Sequence, residues 1–149
     1  MAAPNNLKCV TYTDAKSMNK SSYDDFMLGI EHNIIGCGNK SLQVNDTVVI
    51  MTDPKIKPRY FIVVQLVERL YDNEFWAKRG GEVWEHNFKY VPLTRAYMIT
   101  KDMKTQMKDL AKSHGLNEKN LFNARFCSSK MWPLLKEMFT ANLVERVEE

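Results

Sequence analysis

The sequence predicts an α+β fold in which a strand-dense middle curls into a small mixed β-barrel flanked by α-helices. Two unbroken apolar runs, Thr47–Met51 and residues 60–67, are rich in β-branched side chains and short enough to be buried strands. The other elements follow the order strand, helix, several strands and then helices. This order is typical of an α+β domain rather than of an alternating parallel sheet.

The first part of the chain predicts one strand and one helix. Residues 7–13 form the strand, which ends where a polar run begins. The helix has Ser21 or Ser22 as its N-cap, because a serine hydroxyl accepts hydrogen bonds from the first amides of a helix. We expect Gly36 and Gly38 to end this helix.

The middle of the chain predicts strands separated by turn residues. Asn45 and Asp46 are a turn signal ahead of the second strand. Alternation is weak further on, and Pro92 interrupts it, so the last stretch is either two strands or one broken strand. The segments assigned to strands are residues 47–51, 59–69, 83–90 and 93–99.

The last part of the chain predicts two helices and a short strand. Thr100 or Asp102 opens a helix that runs to Ser113, and Gly115 closes it because glycine tolerates the left-handed conformation. The remaining predicted elements are a strand over residues 121–126 and a final helix that begins at Ser128 or Ser129.

Composition predicts a single intracellular domain. The 149 residues suffice for one core, expected over about residues 7–140 with an acidic tail over 141–149. The sequence contains no membrane-length apolar run and no pattern of a secretory signal, so we expect a cytoplasmic protein, in the host cell if the protein is viral. Three widely spaced cysteines suit reduced thiols better than a disulfide framework. The net charge of +3 permits a phosphate-bearing partner without requiring one.

Catalytic and metal chemistry lack a convincing residue pattern. His32, His86 and His114 are scattered without metal-ligand spacing, and structural or solvent-facing histidines are the simpler interpretation. The segment that begins at Gly36 departs from a phosphate-binding P-loop in both glycine spacing and element order. We therefore expect no enzyme activity, no cofactor and no metal.

Aromatic side chains crowd the segment after the second apolar run. Trp76 and Trp84 lie on either side of a glycine pair, near basic and amide residues. Such rings can stack on a nucleic-acid base, which contributes about 1–3 kcal/mol per base, but a large aromatic ring in a strand-rich region can equally fill the core. Trp76 is the ring that core packing explains least, because its neighbours are polar.

Short motifs along most of the chain resemble the PUA-like superfamily of small barrels, and within it the EVE domain, with a weaker likeness to the YTH domain. The polar turn that ends the first strand, residues 11–14, is similar to the EVE start, and residues 36–40 resemble a second pocket loop. Trp84 resembles the tryptophan that opens a later strand, and residues 121–126 resemble the closing segment. Asn45 stands where glycine is usual in the family.

The resemblance implies a non-enzymatic module that reads a modified base in DNA or RNA. The base would be flipped or splayed into a pocket, stacked on aromatic rings and hydrogen-bonded at its edge. The residues that the resemblance suggests for this pocket are Thr11, Tyr12, Asn39, Lys40, Trp76, Trp84, Asn123 and Arg125.

Three hypotheses follow for function. The first is nucleic-acid binding, and the second is a protein-binding effector, of viral or phage type, that blocks a host factor through Trp76, Trp84 and Arg79. The third, an RNA-cleaving barrel enzyme, ranks last because no set of acid, base and nucleophile stands out. The phosphate contacts expected under the first hypothesis are Lys55, Lys57, Arg59, Lys78 and Arg79.

Overall fold

In the part of the chain that the structure describes, the fold is a mixed α+β arrangement in which a curled sheet forms a half-barrel accompanied by two helices. A computed structural model describes residues 7–12, 22–37, 41–53, 55, 58–71, 86–113, 115 and 145–146. The α+β class expected from the order of elements is therefore confirmed at this coarse level. The strands are β1 (Leu7–Thr11), β2 (Ile34–Cys37), β3 (Thr47–Met51), β4 (Arg59–Leu70), β5 (His86–Pro92), β6 (Tyr97–Ile99) and β7 (Glu145–Arg146), and the helices are α1 (Ser22–His32) and α2 (Lys101–Ser113).

Strand β4 is the centre of the sheet, because three other strands pair with it. Antiparallel β3 occupies one edge, while β5 and β6 share the other, with β6 on the first residues of β4 and β5 on the last. The chain crosses between β5 and β6 beside Val63, whose amide donates to Thr94 Oγ1 at 3.1 Å. The stretch that the sequence predicted as two strands or one broken strand is therefore two strands.

Strand β1 adds to the sheet in parallel with β3, in the register Leu7 to Thr47 and Thr11 to Met51. The principal strand order is β1-β3-β4-β5-β2, so β1 and β2 lie at opposite ends of this path. A buried hydrogen bond connects them, since the Gly36 amide donates to the Tyr12 hydroxyl at 3.2 Å. The sheet is therefore curled enough for its two ends to make contact.

The concave face of the half-barrel carries a cluster of buried apolar side chains. Alternate residues of the strands point to this face, and they include Val48 and Ile50 of β3 and Val64 and Leu66 of β4. Helix α1 contributes the buried Phe26, and its partly buried Met27 and Ile30 pack against the same cluster. Phe26, Met27 and Ile30 are spaced so that they share one face of α1, and this is the face that lies against the core.

Helix α1 ends earlier than we predicted. Its last residue is His32, and Asn33 adopts a left-handed conformation with φ of 55°. The predicted terminator Gly36 instead lies within β2, opposite Asn87 of β5. The expectation was wrong because asparagine, like glycine, can occupy the left-handed position that ends a helix.

Helix α2 has the boundaries expected from its caps. Thr100 is the N-cap, with its Oγ1 accepting from the Met103 amide at 3.1 Å. Gly115 has a φ of 69°, and its amide donates to the Lys112 carbonyl at 3.1 Å, which caps the C-terminal turn. The buried side chains of this helix, Met103, Met107 and Ala111, recur every four residues and form one stripe.

Part of the sequence prediction lies outside the described residues. This applies to the strand over residues 121–126, the helix that begins at Ser128 or Ser129, and residues 83–85 of the fourth predicted strand. Within the described part of the chain, no helix has the length and apolar character needed to cross a membrane.

Candidate nucleic-acid interface

Four of the predicted contact residues belong to the described part of the chain. They are Thr11 and Tyr12 at the end of β1, and Lys55 and Arg59 around the loop between β3 and β4. The remaining predicted contacts lie outside the described residues: Asn39, Lys40, Lys57, Trp76, Lys78, Arg79, Trp84, Asn123 and Arg125.

Tyr12 lies inside the half-barrel, with 3% of its surface exposed. Its backbone amide continues the pairing of β1 by donating to the Met51 carbonyl at 2.9 Å, and its hydroxyl accepts from Gly36. Thr11 is half-buried in the last pair of the β1–β3 ladder. In this arrangement Tyr12 connects the two ends of the curled sheet.

Replacing Tyr12 with phenylalanine is expected to lower the free energy of unfolding by about 1–2 kcal/mol, because the buried Gly36 amide loses its acceptor. Urea denaturation measures this change. Tyr71 is 87% exposed, and Tyr71→Phe is the matched control with an expected change below about 0.5 kcal/mol. Equal stability of the Tyr12→Phe variant and the wild-type protein would contradict a structural role for this hydroxyl.

Arg59 is buried rather than placed on the surface, where a phosphate contact was predicted. It is 8% exposed, and its Nε donates to the Thr52 carbonyl at 3.0 Å, across the base of the β3–β4 loop. Burial lowers the pKa of this guanidinium from its ordinary value, and the nearby Cys9 and Asp53 oppose that shift. The basic character of the loop did not predict this burial, because two basic residues around the same loop differ in exposure. Lys55 is exposed, whereas Arg59 is buried.

Lys55 is exposed at the tip of that loop. Its backbone amide donates to Asp53 Oδ1 at 2.9 Å, an Asx-type turn that fixes the backbone while the lysine side chain extends towards solvent. The position suits the phosphate contact that the sequence predicted for Lys55.

Four lysines line one side of α2, and sequence reasoning missed them. Lys101, Lys104, Lys108 and Lys112 are spaced by three, four and four residues, which places them within about a quarter of the helix circumference. Lys104 is half-buried and the other three are exposed. The i, i+3, i+7, i+11 spacing was visible in the sequence, and it defines what we call the lysine face.

The two carboxylates of α2 lie to one side of the lysine face. Asp102 and Asp109 are seven residues apart, so they share a neighbouring strip of the helix surface, while the buried methionines lie on the other side. With four lysines and two aspartates, the helix carries a net charge of +2. The positive charge is thus collected into a stripe rather than mixed around the helix.

Sheet register places the start of the lysine face near Lys55. Ile99 of β6 pairs with Arg59, the first residue of β4, and α2 begins two residues after Ile99. The loop that carries Lys55 ends at the same residue, Arg59. Lys55 and Lys101 therefore extend from the same end of the sheet.

A second cationic site lies at the opposite end of β4. Arg69 pairs across the sheet with Phe88, and its guanidinium carbon lies 5.2 Å from the centre of the Phe88 ring. Its Nη2 also lies 2.7 Å from Nδ1 of His86. The aromatic ring and the imidazole together fix the orientation of this half-buried arginine.

The described aromatic residues between positions 71 and 90 divide between core and surface. Phe88 and Tyr90 belong to the core cluster, and the Tyr90 hydroxyl donates to the Gly29 carbonyl of α1 at 3.1 Å. For these two rings the core-filling alternative is confirmed. Tyr71, at the end of β4, is instead highly exposed.

An open groove of about 530 Å³ runs along α1, lined by the apolar Met27, Leu28 and Ile30 and by the acidic Asp24 and Glu31. The two carboxylates make it unsuited to a phosphate. The pocket expected between residues 36–40 and the tryptophan segment involves residues outside the described ranges.

Within the described ranges, no group of three or more histidine, cysteine, aspartate or glutamate side chains is arranged to hold a metal ion. Neither a scan against models of known protein families nor a search of curated proteins finds a match to this chain.

Proposed function

We propose that this protein is a non-enzymatic nucleic-acid-binding module whose phosphate contacts come from the lysine face of α2 and from Lys55. The observation that carries the proposal is the alignment of four lysines along one side of a capped helix. Phosphate contacts of this kind supply most of the sequence-independent affinity of nucleic-acid-binding proteins.

The length of the lysine face suits a nucleic-acid backbone. Lys101 and Lys112 are separated by about 16 Å along the helix axis, at about 1.5 Å per residue. A straight stripe of this length can contact several phosphates of a nucleic-acid backbone. Flexible lysine side chains can follow such a series as point charges without requiring one fixed geometry.

Exchanging the four lysines of this face for glutamine is expected to weaken binding of a short DNA or RNA oligonucleotide roughly 100-fold at low salt. Fluorescence anisotropy measures the affinity, and a salt titration measures how many phosphates the protein neutralises. The plot of log affinity against log salt should become shallower by about one unit for each phosphate that the variant no longer neutralises.

The matched control replaces the same four lysines with arginine. This variant keeps the charge and should retain most of the affinity, since phosphate binding of this type depends chiefly on charge. Wild-type affinity that does not fall with rising salt would refute the proposal. An equal loss of affinity in the arginine and glutamine variants would show that the lysine face does not act through its charge.

The finer part of the proposal is a PUA-like, EVE-like fold that reads a modified base. Its support is the sequence resemblance, together with the curled half-barrel, which is compatible with a small barrel. Trp76 and Trp84 would supply the stacking rings. Oligonucleotides that differ in a single base modification test this part, because their affinities should differ only if the base itself is contacted.

A protein partner is the second candidate, favoured by exposed apolar side chains on the sheet. Val91 of β5 is 50% exposed and lies opposite Gln65 of β4. Val67, two residues after Gln65 in β4, lies at a register shift and is also exposed. A viral or phage effector could use such a surface to bind a host protein. A partner captured equally by wild type and by the lysine-to-glutamine variant, without nucleic-acid binding by either, would favour this candidate.

A further inference from the structure

Arg69 is held in place by two described neighbours, neither of which carries a negative charge. Its described contacts are the Phe88 ring on one face and His86 Nδ1 at one nitrogen. No carboxylate in the described ranges forms an ion pair with it. A guanidinium has five N–H donors, so contact with one imidazole nitrogen occupies only part of its capacity.

The contact with His86 has a defined direction. Arginine can only donate, so Nδ1 of His86 must accept, and the ring proton of the neutral imidazole is then on Nε2. A neutral imidazole orients the guanidinium without cancelling its charge. This distinguishes the site from an arginine paired with aspartate or glutamate, whose charge is already balanced.

We propose that Arg69 is a binding residue for an oxyanion of the phosphate class. A forked guanidinium fixed over an aromatic ring is pre-organised for bidentate contact with phosphate oxygens. The adjoining Tyr71 is highly exposed, so the end of β4 reaches the protein surface. The inference rests on the proposed function where the oxyanion is a phosphate of nucleic acid, and the same chemistry also fits free inorganic phosphate.

The site is separate from the lysine face. Lys101 and Lys55 extend from the end of the sheet where β4 begins, whereas Arg69 is the penultimate residue of β4. A ligand bound at both places would have to cross the sheet along the length of β4. Substitutions at one site therefore leave the other chemically intact.

The first arm of the test measures oligonucleotide affinity for Arg69→Gln, Arg69→Lys and Lys89→Gln. Lys89 is an exposed cation next to Phe88, so Lys89→Gln is a matched control that removes the same charge. We expect Arg69→Gln to weaken oligonucleotide binding about tenfold. Arg69→Lys should recover less than half of that loss on a logarithmic scale, because lysine lacks the forked guanidinium. Lys89→Gln should change the affinity less than twofold.

The second arm uses inorganic phosphate alone and follows the His86 ring nitrogens by NMR. Phosphate at Arg69 should shift these signals in wild type and in Lys89→Gln but not in Arg69→Gln, and acetate at the same ionic strength should shift them less. A thermal unfolding transition shows whether each variant is folded. If Arg69→Gln is not folded, Arg69→Lys is used in its place.

The outcomes separate this inference from the proposed function. Equal affinity losses in Arg69→Gln and Lys89→Gln, together with unchanged His86 signals, would overturn the Arg69 site while leaving the lysine face in place. A phosphate-dependent His86 shift in a protein that binds no oligonucleotide would support the site, identify free phosphate as its source and refute nucleic-acid binding.

Discussion

Replacing Asp46 with alanine is expected to lower the free energy of unfolding by about 3 kcal/mol, because the change leaves partly buried donors without their acceptor. The Asp46 side chain is 1% exposed and lies 2.7 Å from Lys8 Nζ. It also accepts from the Gln43 amide at 2.8 Å. One carboxylate thus connects strand β1 to the turn that begins β3.

Urea denaturation of wild type, Asp46→Ala and Asp46→Asn measures this effect. Asparagine keeps one acceptor oxygen for the Gln43 amide but loses the charge, so its loss of stability should be smaller than that of alanine. Lys8→Met removes the other partner, and the Lys8→Met, Asp46→Ala double variant completes a cycle that isolates the pair. Additive single effects would contradict a direct Lys8–Asp46 interaction.

Raising the pH above about 10 is expected to destabilise the wild-type protein through Tyr90. Burial raises the pKa of the Tyr90 hydroxyl above its ordinary value of 10.0. A raised pKa in the folded state means that the stability from the neutral phenol is fully present below the ordinary pKa and is lost as the pH rises towards the folded value. The limiting slope for one proton is about 1.4 kcal/mol per pH unit.

The Tyr90→Phe variant isolates this contribution from the titration of lysines in the same range. It should be about 1 kcal/mol less stable than wild type at pH 8, because the hydrogen bond to Gly29 is removed. Above pH 10 the free energy of unfolding should fall more steeply with pH for wild type than for the variant. The stability advantage of wild type over Tyr90→Phe therefore narrows or reverses. Parallel curves in urea denaturation between pH 9 and pH 11 would contradict the expectation.

The elements that the sequence predicted well are those with local causes. The continuous β-branched run of β3 and the capping residues of α2 were sufficient without knowledge of any distant contact. The end of α1 was wrong because the backbone of Asn33, rather than a nearby glycine, takes the left-handed conformation. Register, curl and the sharing of one edge of β4 depend on distant pairing, which local patterns do not encode.

The candidate site shows the same division. Lys55 and Arg59 were both predicted as phosphate contacts from the local charge of their loop. Lys55 is exposed, whereas Arg59 is buried against the Thr52 carbonyl. The lysine face was available from spacing alone and was missed because the aromatic segment offers the more obvious ligand chemistry. Residue spacing could not have predicted the Arg69 site, because a register shift after Leu66 brings Arg69 opposite Phe88.

The parallel pairing of β1 with β3 also affects the order in which the chain folds. Strands β3 and β4 are neighbours in sequence and can form a hairpin early, whereas β1 must close a long loop before its first pair, Leu7 with Thr47, can form. We infer that β1 joins a sheet that is already partly built. Until it does so, the edge of β3 is an open template, and self-association of the nascent chain competes with its completion.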